Sequence, residues 1–455
     1  MRYLPHTPAE IEEMLQAAGL TSIDQLFDTI PEEVRFRGEL GIPDALSEAA
    51  LMRHVNELSE KNGGARLLSF IGCGMYSHHV PPAVDQLLLR SEFYTAYTPY
   101  QPEVAQGTLQ AIWEFQTMVS ELYGLPLANA SLYDGASATA EAVLMARRLT
   151  GRNRVLLSGC VHPDYRETTV SYLAGNAYVG GDEAAPAGSC VTVATDARGS
   201  ADIAALTAAL DESVACVVIG YPSYLGAVSD LRGLADACHA RGVLLVATVT
   251  EPYALAVLAP PGSWGADIVV GEGQALACPP QFGGPGVGLL ACRDDRKFLQ
   301  QLPGRICGET VDVHGKRGFV LTLSTREQHI RRERATSNIC TNQGLIALAF
   351  AIRVSLLGKT GFVDVAKQCL AKAHYLRSAL LALPQVEAGF SDAAFFNEFA
   401  IRVPGLPAAA LLERLEKQGI LGGVDLGRFD AALADRVLIA VTEQHTREDL
   451  DRLVA

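Results

Sequence analysis

Val243-Leu244-Leu245-Val246-Ala247-Thr248-Val249 is an almost unbroken apolar run, and Ile268-Val269-Val270 follows it, leading into Gly271-Glu272-Gly273-Gln274-Ala275. Runs this short and this rich in β-branched side chains read as strands buried on both faces. Four similar runs share the middle of the chain: Val155–Ser158, Val191–Ala194, Ala215–Ile219 and Val287–Ala291. Helical patterns lie between several of them, as in residues 201–210 and 230–240. The expected core is therefore a mostly parallel sheet covered by helices on both sides, an α/β fold.

Working outward, residues 1–62 read as a helical N-terminal arm. Thr7-Pro8-Ala9-Glu10 is a capping box with proline at the first helical position, and Gly19 closes that helix. Ser22 and Ser47 begin two more, the last carrying Leu51, Val55 and Leu58 at helical spacing. Residues 63–130 read as loop-rich, dense in proline and tyrosine at 93–103, before a long helix from about 136 to 149. Beyond 335, a helix-rich stretch, Phe399–Val403, a helix at 407–418 and Val437–Val441 read as a small lobe. The expected division is an arm at 1–62, a large α/β domain at 63–335 and a small C-terminal α+β domain at 336–455.

Hydrophobic residues make up 49% of the 455 and charged ones 19%, a balance that supports a large core and excludes a disordered chain. The formal charge is −14 with no basic tract, which argues against nucleic acid or an anionic membrane as partner. The ten cysteines form no CxxC pair and no metal-like cluster with histidine, so no metal is expected. Cys216, Cys238 and Cys292 sit in apolar runs, as small core residues of a reducing compartment do. The opening MRYLPHTPAEIEEML has acids where a signal peptide needs an apolar core, and no stretch reads as long enough to span a membrane. A soluble, cytoplasmic protein is expected.

Tyr94–Gln110, YTAYTPYQPEVAQGTLQ, packs three tyrosines, two prolines and several amides into one segment. Rigid prolines with Tyr97, Tyr100, Gln101, Glu103 and Gln106 presenting polar tips suit the wall of a small polar pocket. A proline-rich turn packing its rings into an interdomain seam fits equally well.

YTPYQPE followed by QGTLQ and FQTM resembles a segment of the glycine decarboxylase P-proteins of the glycine cleavage system. FIGCGMYSHHVPP at 70–82, LANASLYDGASATAEA at 127–142 and IVVGEGQALACPPQFGGPGVG at 268–288 extend the resemblance, as do residues 308–343 and FFNEF at 395–399. The length of the chain resembles the split form, in which separate alpha and beta polypeptides share the work. The resemblance implies the aspartate-aminotransferase-like fold of fold type I pyridoxal-phosphate enzymes. It also implies an α2β2 heterotetramer with a beta subunit that carries the pyridoxal phosphate, decarboxylation of glycine, and transfer of the aminomethyl group to lipoylated H-protein.

A pyridoxal-phosphate site needs a lysine for the Schiff base, a carboxylate for the pyridine nitrogen, a phosphate cup and a plate over the ring. In this fold the lysine follows the strand near 268–270, but Gln274 stands there and cannot form a Schiff base. Lys316, in Gly315-Lys316-Arg317-Gly318, is the nearest rival, in what reads as a polar loop. The carboxylate is also missing from Val243–Val249, where Thr248 is the polar residue, with Glu251 just beyond. Gly135, Ala136 and Ser137, after Asp134, open a helix whose free N–H groups suit a phosphate, although an ordinary capped start has the same pattern. His162 is placed to stack on a ring or simply to pack at a strand end. These read as relics of a degenerate cofactor site.

Tyr76 and His79, within a motif that includes His78, resemble P-protein residues near the shared active site, although a surface loop has the same pattern. Arg326, His329, Arg331, Arg332 and Arg334 read as a solvated helix face or an interface. The chain is expected to have no catalytic residue of its own, and to complete the beta subunit's pocket or lipoyl channel with Tyr76, His79, Tyr97, Tyr100, Gln101, Glu103 and Gln106. A structural scaffold that leaves the pocket untouched, and a self-sufficient enzyme using Lys316 or another lysine, are the alternatives.

Overall fold

The β-branched runs become the strands of a seven-stranded sheet in the computed structural model, which describes residues 5–95, 97–175, 189–391 and 393–455. The strands are β1 (Leu127–Ala128), β2 (Arg154–Ser158), β3 (Cys190–Val193), β4 (Val214–Gly220), β5 (Leu244–Val249), β6 (Ile268–Glu272) and β7 (Gly288–Cys292). Their order is β1-β7-β6-β5-β4-β2-β3. Strands β2 to β6 pair in parallel, while β7 runs antiparallel to both β6 and β1. Every residue of β4 is buried, as a central strand covered on both faces requires.

The helix Gly135–Thr150 lies on this sheet through Ala138, Ala142, Val143 and Ala146, whose small side chains allow close approach. The other face is covered by the helix Gln106–Tyr123. That helix corrects the reading of 63–130 as loop-rich. Leu109, Ile112, Phe115, Val119 and Tyr123 form a buried stripe at helical spacing, and Gly124 ends the helix with φ +67°. The polar and aromatic residues between those positions obscured the period.

The helix Gly344–Leu381 bends at Gly358, the one residue inside it with non-helical backbone angles. Ile346, Ala347, Ala349 and Phe350 join the large core before the bend, and Ala373, Leu376 and Leu380 join a second core after it. By length and composition this helix is long and apolar enough to cross a membrane, contrary to the expectation for the chain. It also carries Arg353, fully buried and donating to the Tyr253 hydroxyl at 2.8 Å. The second core includes the outer sheet, four antiparallel strands in the order Glu387–Ala388, Glu398–Arg402, Arg436–Ala440, Val424–Asp425. Leu68–Ser69 pairs in parallel with Ile420–Leu421, so the segment that follows leaves from this lobe.

The chain divides into two compact units, residues 1–65 and 66–455, and the seven-stranded and four-stranded sheets lie in the second. In the first, the helix Pro8–Ala17 has the Thr7–Glu10 capping box, and Ser47 caps Glu48–Glu60. Among the described residues, neither these two helices nor the short helix Ile23–Phe27 buries a residue.

Gly271 in β6 tests how tightly the large sheet is packed. A Cβ there would meet the Val249 carbonyl oxygen and the Tyr123 hydroxyl, whereas one at Gly233 in a surface helix meets nothing within 4 Å. Gly271→Ala is expected to lower unfolding stability in urea by about 1–3 kcal/mol. Gly233→Ala should lower it not at all.

Candidate functional site

The start of the helix Gly135–Thr150 faces the end of β6, and the two close on each other. Asp134 Oδ1 accepts from the Ser137 N–H at 2.7 Å, while Ser137 Oγ accepts from the Asp134 N–H at 3.2 Å. Glu272 Oε2 accepts from the Gly135 N–H at 2.9 Å, and its Oε1 accepts from the Gln274 and Val287 N–H groups at 2.9 and 2.8 Å. A carboxylate thus occupies the positive end of the helix, where an external anion would otherwise sit. Burial still pushes the Glu272 carboxyl up to about 7, against those three backbone donors.

The other relic positions are equally committed. The buried Gln274 amide donates to the Cys278 carbonyl. Thr248 Oγ1 donates to the Ile219 carbonyl at 3.0 Å, within the sheet. His162 accepts from the Asp164 N–H through Nδ1 at 3.2 Å and turns Nε2 to the Cys73 carbonyl at 3.0 Å, so Nε2 carries the proton. Tyr165, Tyr224 and Phe429 ring it at 5.4–6.0 Å, and burial depresses its pKa. A Cβ at Gly135 would strike the Tyr165 hydroxyl and the Glu272 N–H. These residues do not fit pyridoxal phosphate: the tether is an amide and the anion cradle is filled from within. Lys316 sits exposed in a turn, its N–H donating to Asp312.

Tyr76 and His78 belong to a buried polar cluster that joins the two sheets. Tyr76 donates to Glu398 Oε2 at 2.9 Å, and the Cys73 N–H donates to Glu398 Oε1 at 2.6 Å. Burial first, then the charge of Glu251, raises the Glu398 carboxyl to about 8. His78 lies between Glu443 (2.6 Å from Nδ1) and Glu251 (3.0 Å from Nε2). Burial alone would discharge this imidazole, but the carboxylates outweigh it and hold His78 protonated. Burial likewise opposes ionisation of Glu443, yet His78 and the His79 N–H bring that carboxyl down to about 2.

The surface-loop alternative therefore fails for His78, although His79 is exposed. Spacing along the chain hid the acidic and thiol neighbours: His78, Cys369 and Glu443 place one potential ligand atom each within 4.8 Å of one another. The direct His78–Glu443 bond accounts for that trio as an ion pair.

The tyrosine segment lies elsewhere. Tyr97 and Tyr100 are 73% and 44% exposed, with ring centroids 5.7 Å apart, so they are not packed into a seam. Gln101 and Glu103 are exposed too, while Ala96 lies outside the described residues. The Gln106 amide is committed: its nitrogen donates to the Pro102 and Phe319 carbonyls and its oxygen accepts from the Phe319 N–H. Tyr76 lines a small cavity with Glu251, Asn397 and Glu398, whereas Tyr97 lines another with Thr98, Pro99, Ile112 and Asn342. The seven candidates thus fall into two places. Arg326 of the basic cluster donates to the Leu302 and Gly304 carbonyls, while Arg331, Arg332 and Arg334 are exposed.

Glu272, Glu443 and Glu398 escaped the sequence reading. Only Glu272 had a local signal, an acid placed two residues before the missing lysine's position.

Residues 1–455 match the family described as glycine cleavage system P-protein. The chain is 60% identical over 455 residues to the probable glycine dehydrogenase (decarboxylating) subunit 1 of Sorangium cellulosum (strain So ce56), covering 100% of this chain and 98% of that one. It is 51% identical over 462 residues to the protein of the same description from Rhodospirillum centenum (strain ATCC 51521 / SW), with the same coverage. It also resembles a crystal structure of glycine decarboxylase (P-protein) of the glycine cleavage system in inhibitor-bound form, with TM-score 0.87, 44% identity, and coverage of 100% and 98%. The glutamate decarboxylase of Lactobacillus brevis CGMCC 1306 shares the fold at TM-score 0.67 and 13% identity, over 94% of this chain and 95% of that one. The fold is the fold type I pyridoxal-phosphate architecture expected from the sequence.

Gln274→Lys alone is expected not to create a cofactor site, because Glu272 still fills the cradle. After mixing with pyridoxal phosphate and borohydride reduction, peptide mapping should find no pyridoxyl label at position 274. A second expectation concerns pH. Glu398 and Glu272 have folded pKa values raised above 4.5, so their contribution to stability is complete below that value and is lost as pH rises toward 7–8. Melting temperature should fall between about pH 5 and 8, and Glu398→Gln should flatten part of that fall.

Proposed function

The chain belongs to the glycine cleavage system P-protein family, and from that premise we propose that it is the cofactor-free half of a split glycine dehydrogenase (decarboxylating), completing an active site on a second subunit. The observation that carries this reading is the closed cradle, with Glu272 on the helix terminus and Gln274 at the tether position. A chain so closed needs a partner for the chemistry, and "subunit 1" in the relatives' description implies one.

The assembly would be an α2β2 heterotetramer working in the cytoplasm, with lipoylated H-protein as the acceptor. Pyridoxal phosphate on the partner would supply the electron sink for loss of CO2 from glycine, with the lipoyl arm as the acceptor of the aminomethyl group. This chain's contribution is the exposed wall of Tyr97, Tyr100, Gln101 and Glu103. The aromatic bodies exclude water and the polar tips orient the substrate. Gln106 holds the wall to the hairpin Ile306–Thr322, and Tyr76 acts from within the interlobe cluster.

The commitment of Gln106 and Tyr76 to internal bonds favours a second reading, a scaffold that contributes nothing to the pocket. The two readings separate in the assembled complex. Tyr97→Phe with Tyr100→Phe is expected to lower kcat/KM for glycine–CO2 exchange by roughly tenfold or more, with sedimentation of the complex unchanged. Full exchange activity in that variant would falsify the pocket role.

A further inference from the structure

Arg305 is the most heavily engaged cation near the tyrosine wall. It is 2% exposed, directly before the strand Ile306–Val311. Its Nε donates to the Cys340 carbonyl at 2.8 Å, and Nη1 pairs with Glu327 at 2.6 Å. Its own carbonyl accepts from the Ala130 N–H at 2.8 Å, tying it to the segment that leaves β1. The guanidinium is therefore held by two partners and its main chain by a third. The remaining contact of the guanidinium is Tyr100: Nη2 lies 2.5 Å from the hydroxyl, with the guanidinium carbon 4.6 Å from the ring centroid.

That bond has only one polarity. A guanidinium offers donors and no acceptor, so Arg305 donates and the Tyr100 oxygen accepts. The hydroxyl proton must point away from Arg305, and among the described residues no acceptor takes it. The ring is 44% exposed, next to the more exposed Tyr97. The Glu327 carboxylate balances the guanidinium charge, so what reaches the phenol is a donated hydrogen bond: it polarises the O–H outward, and such a donor bonds most strongly to an ionised acceptor.

We infer that Tyr100 donates its hydroxyl hydrogen bond to a carboxylate oxygen of the amino-acid substrate, and that Arg305 is the positioning residue that fixes this polarity. The inference rests on the shared-pocket reading above. Lysine at 305 keeps the charge but loses the planar fork that reaches Cys340, Glu327 and Tyr100 together.

The test is a double-mutant cycle of Arg305→Lys and Tyr100→Phe in the assembled complex, read by glycine–CO2 exchange. A lost bond to a ground-state carboxylate appears in KM, so each single variant is expected to raise KM for glycine about tenfold with kcat changed less. The double variant should be no worse than Tyr100→Phe, since Arg305 acts through that hydroxyl. A purely structural role would instead lower melting temperature or assembly without that coupling. If Arg305→Lys does not assemble, Glu327→Gln replaces it in the cycle. Losses that multiply, or an Arg305→Lys complex with unchanged KM beside an impaired Tyr100→Phe, overturn this inference alone. A fully active Tyr100→Phe complex overturns it by removing Tyr100 from the pocket.

Discussion

A protonated imidazole held between two carboxylates joins the seven-stranded and the four-stranded sheets of the larger unit. Glu251 follows β5, Glu443 follows the strand Arg436–Ala440 of the four-stranded sheet, and His78 comes from the segment that leaves the Leu68–Ser69 strand. Each charge is buried and would be unfavourable alone; in line they satisfy one another. Removing one member of such a buried set typically costs about 3–5 kcal/mol, because the remaining charge is stranded. The neighbouring Tyr76–Glu398–Cys73 bonds and the Gln444 amide, which donates to the Ser77 carbonyl at 2.9 Å, strap the same segment down. The position of one lobe on the other thus depends on a few hydrogen bonds around residues 72–79.

With the lobes fixed, the cleft that holds a coenzyme in this fold is filled by the chain's own groups. Glu272 fills the helix terminus with a carboxyl group that accepts from the Gly135 N–H, and it does so from the adjacent strand end. The Tyr165 hydroxyl and the His162 cage occupy the neighbouring space. Replacing the tether lysine by glutamine removes one bond. Supplying the carboxylate removes the room.

The tyrosine wall is held from behind by Arg305 and by the Gln106 clamp while its rings stay exposed. Such an arrangement is pre-organised, and an aromatic wall fixed before association loses less entropy when a partner covers it.

The sequence by itself determined the parallel sheet, because short β-branched runs separated by helices have few other ways to bury both faces. It determined the absent lysine at Gln274, and the long resemblance through residues 70–399 determined the family. It did not disclose the helix Gln106–Tyr123, whose apolar stripe is interleaved with polar and aromatic residues. Nor did it reveal that His79 is exposed while His78 is buried, or that Gln106 serves a hairpin. Those facts were decided by tertiary structure alone. Glu443 lies 364–365 residues from the histidines it binds, Glu272 is 137 from Gly135, and Arg305 is 205 from Tyr100. Local sequence specifies backbone period and caps; which charge meets which is set only when distant segments are brought together, where burial makes an unmatched charge too costly to keep.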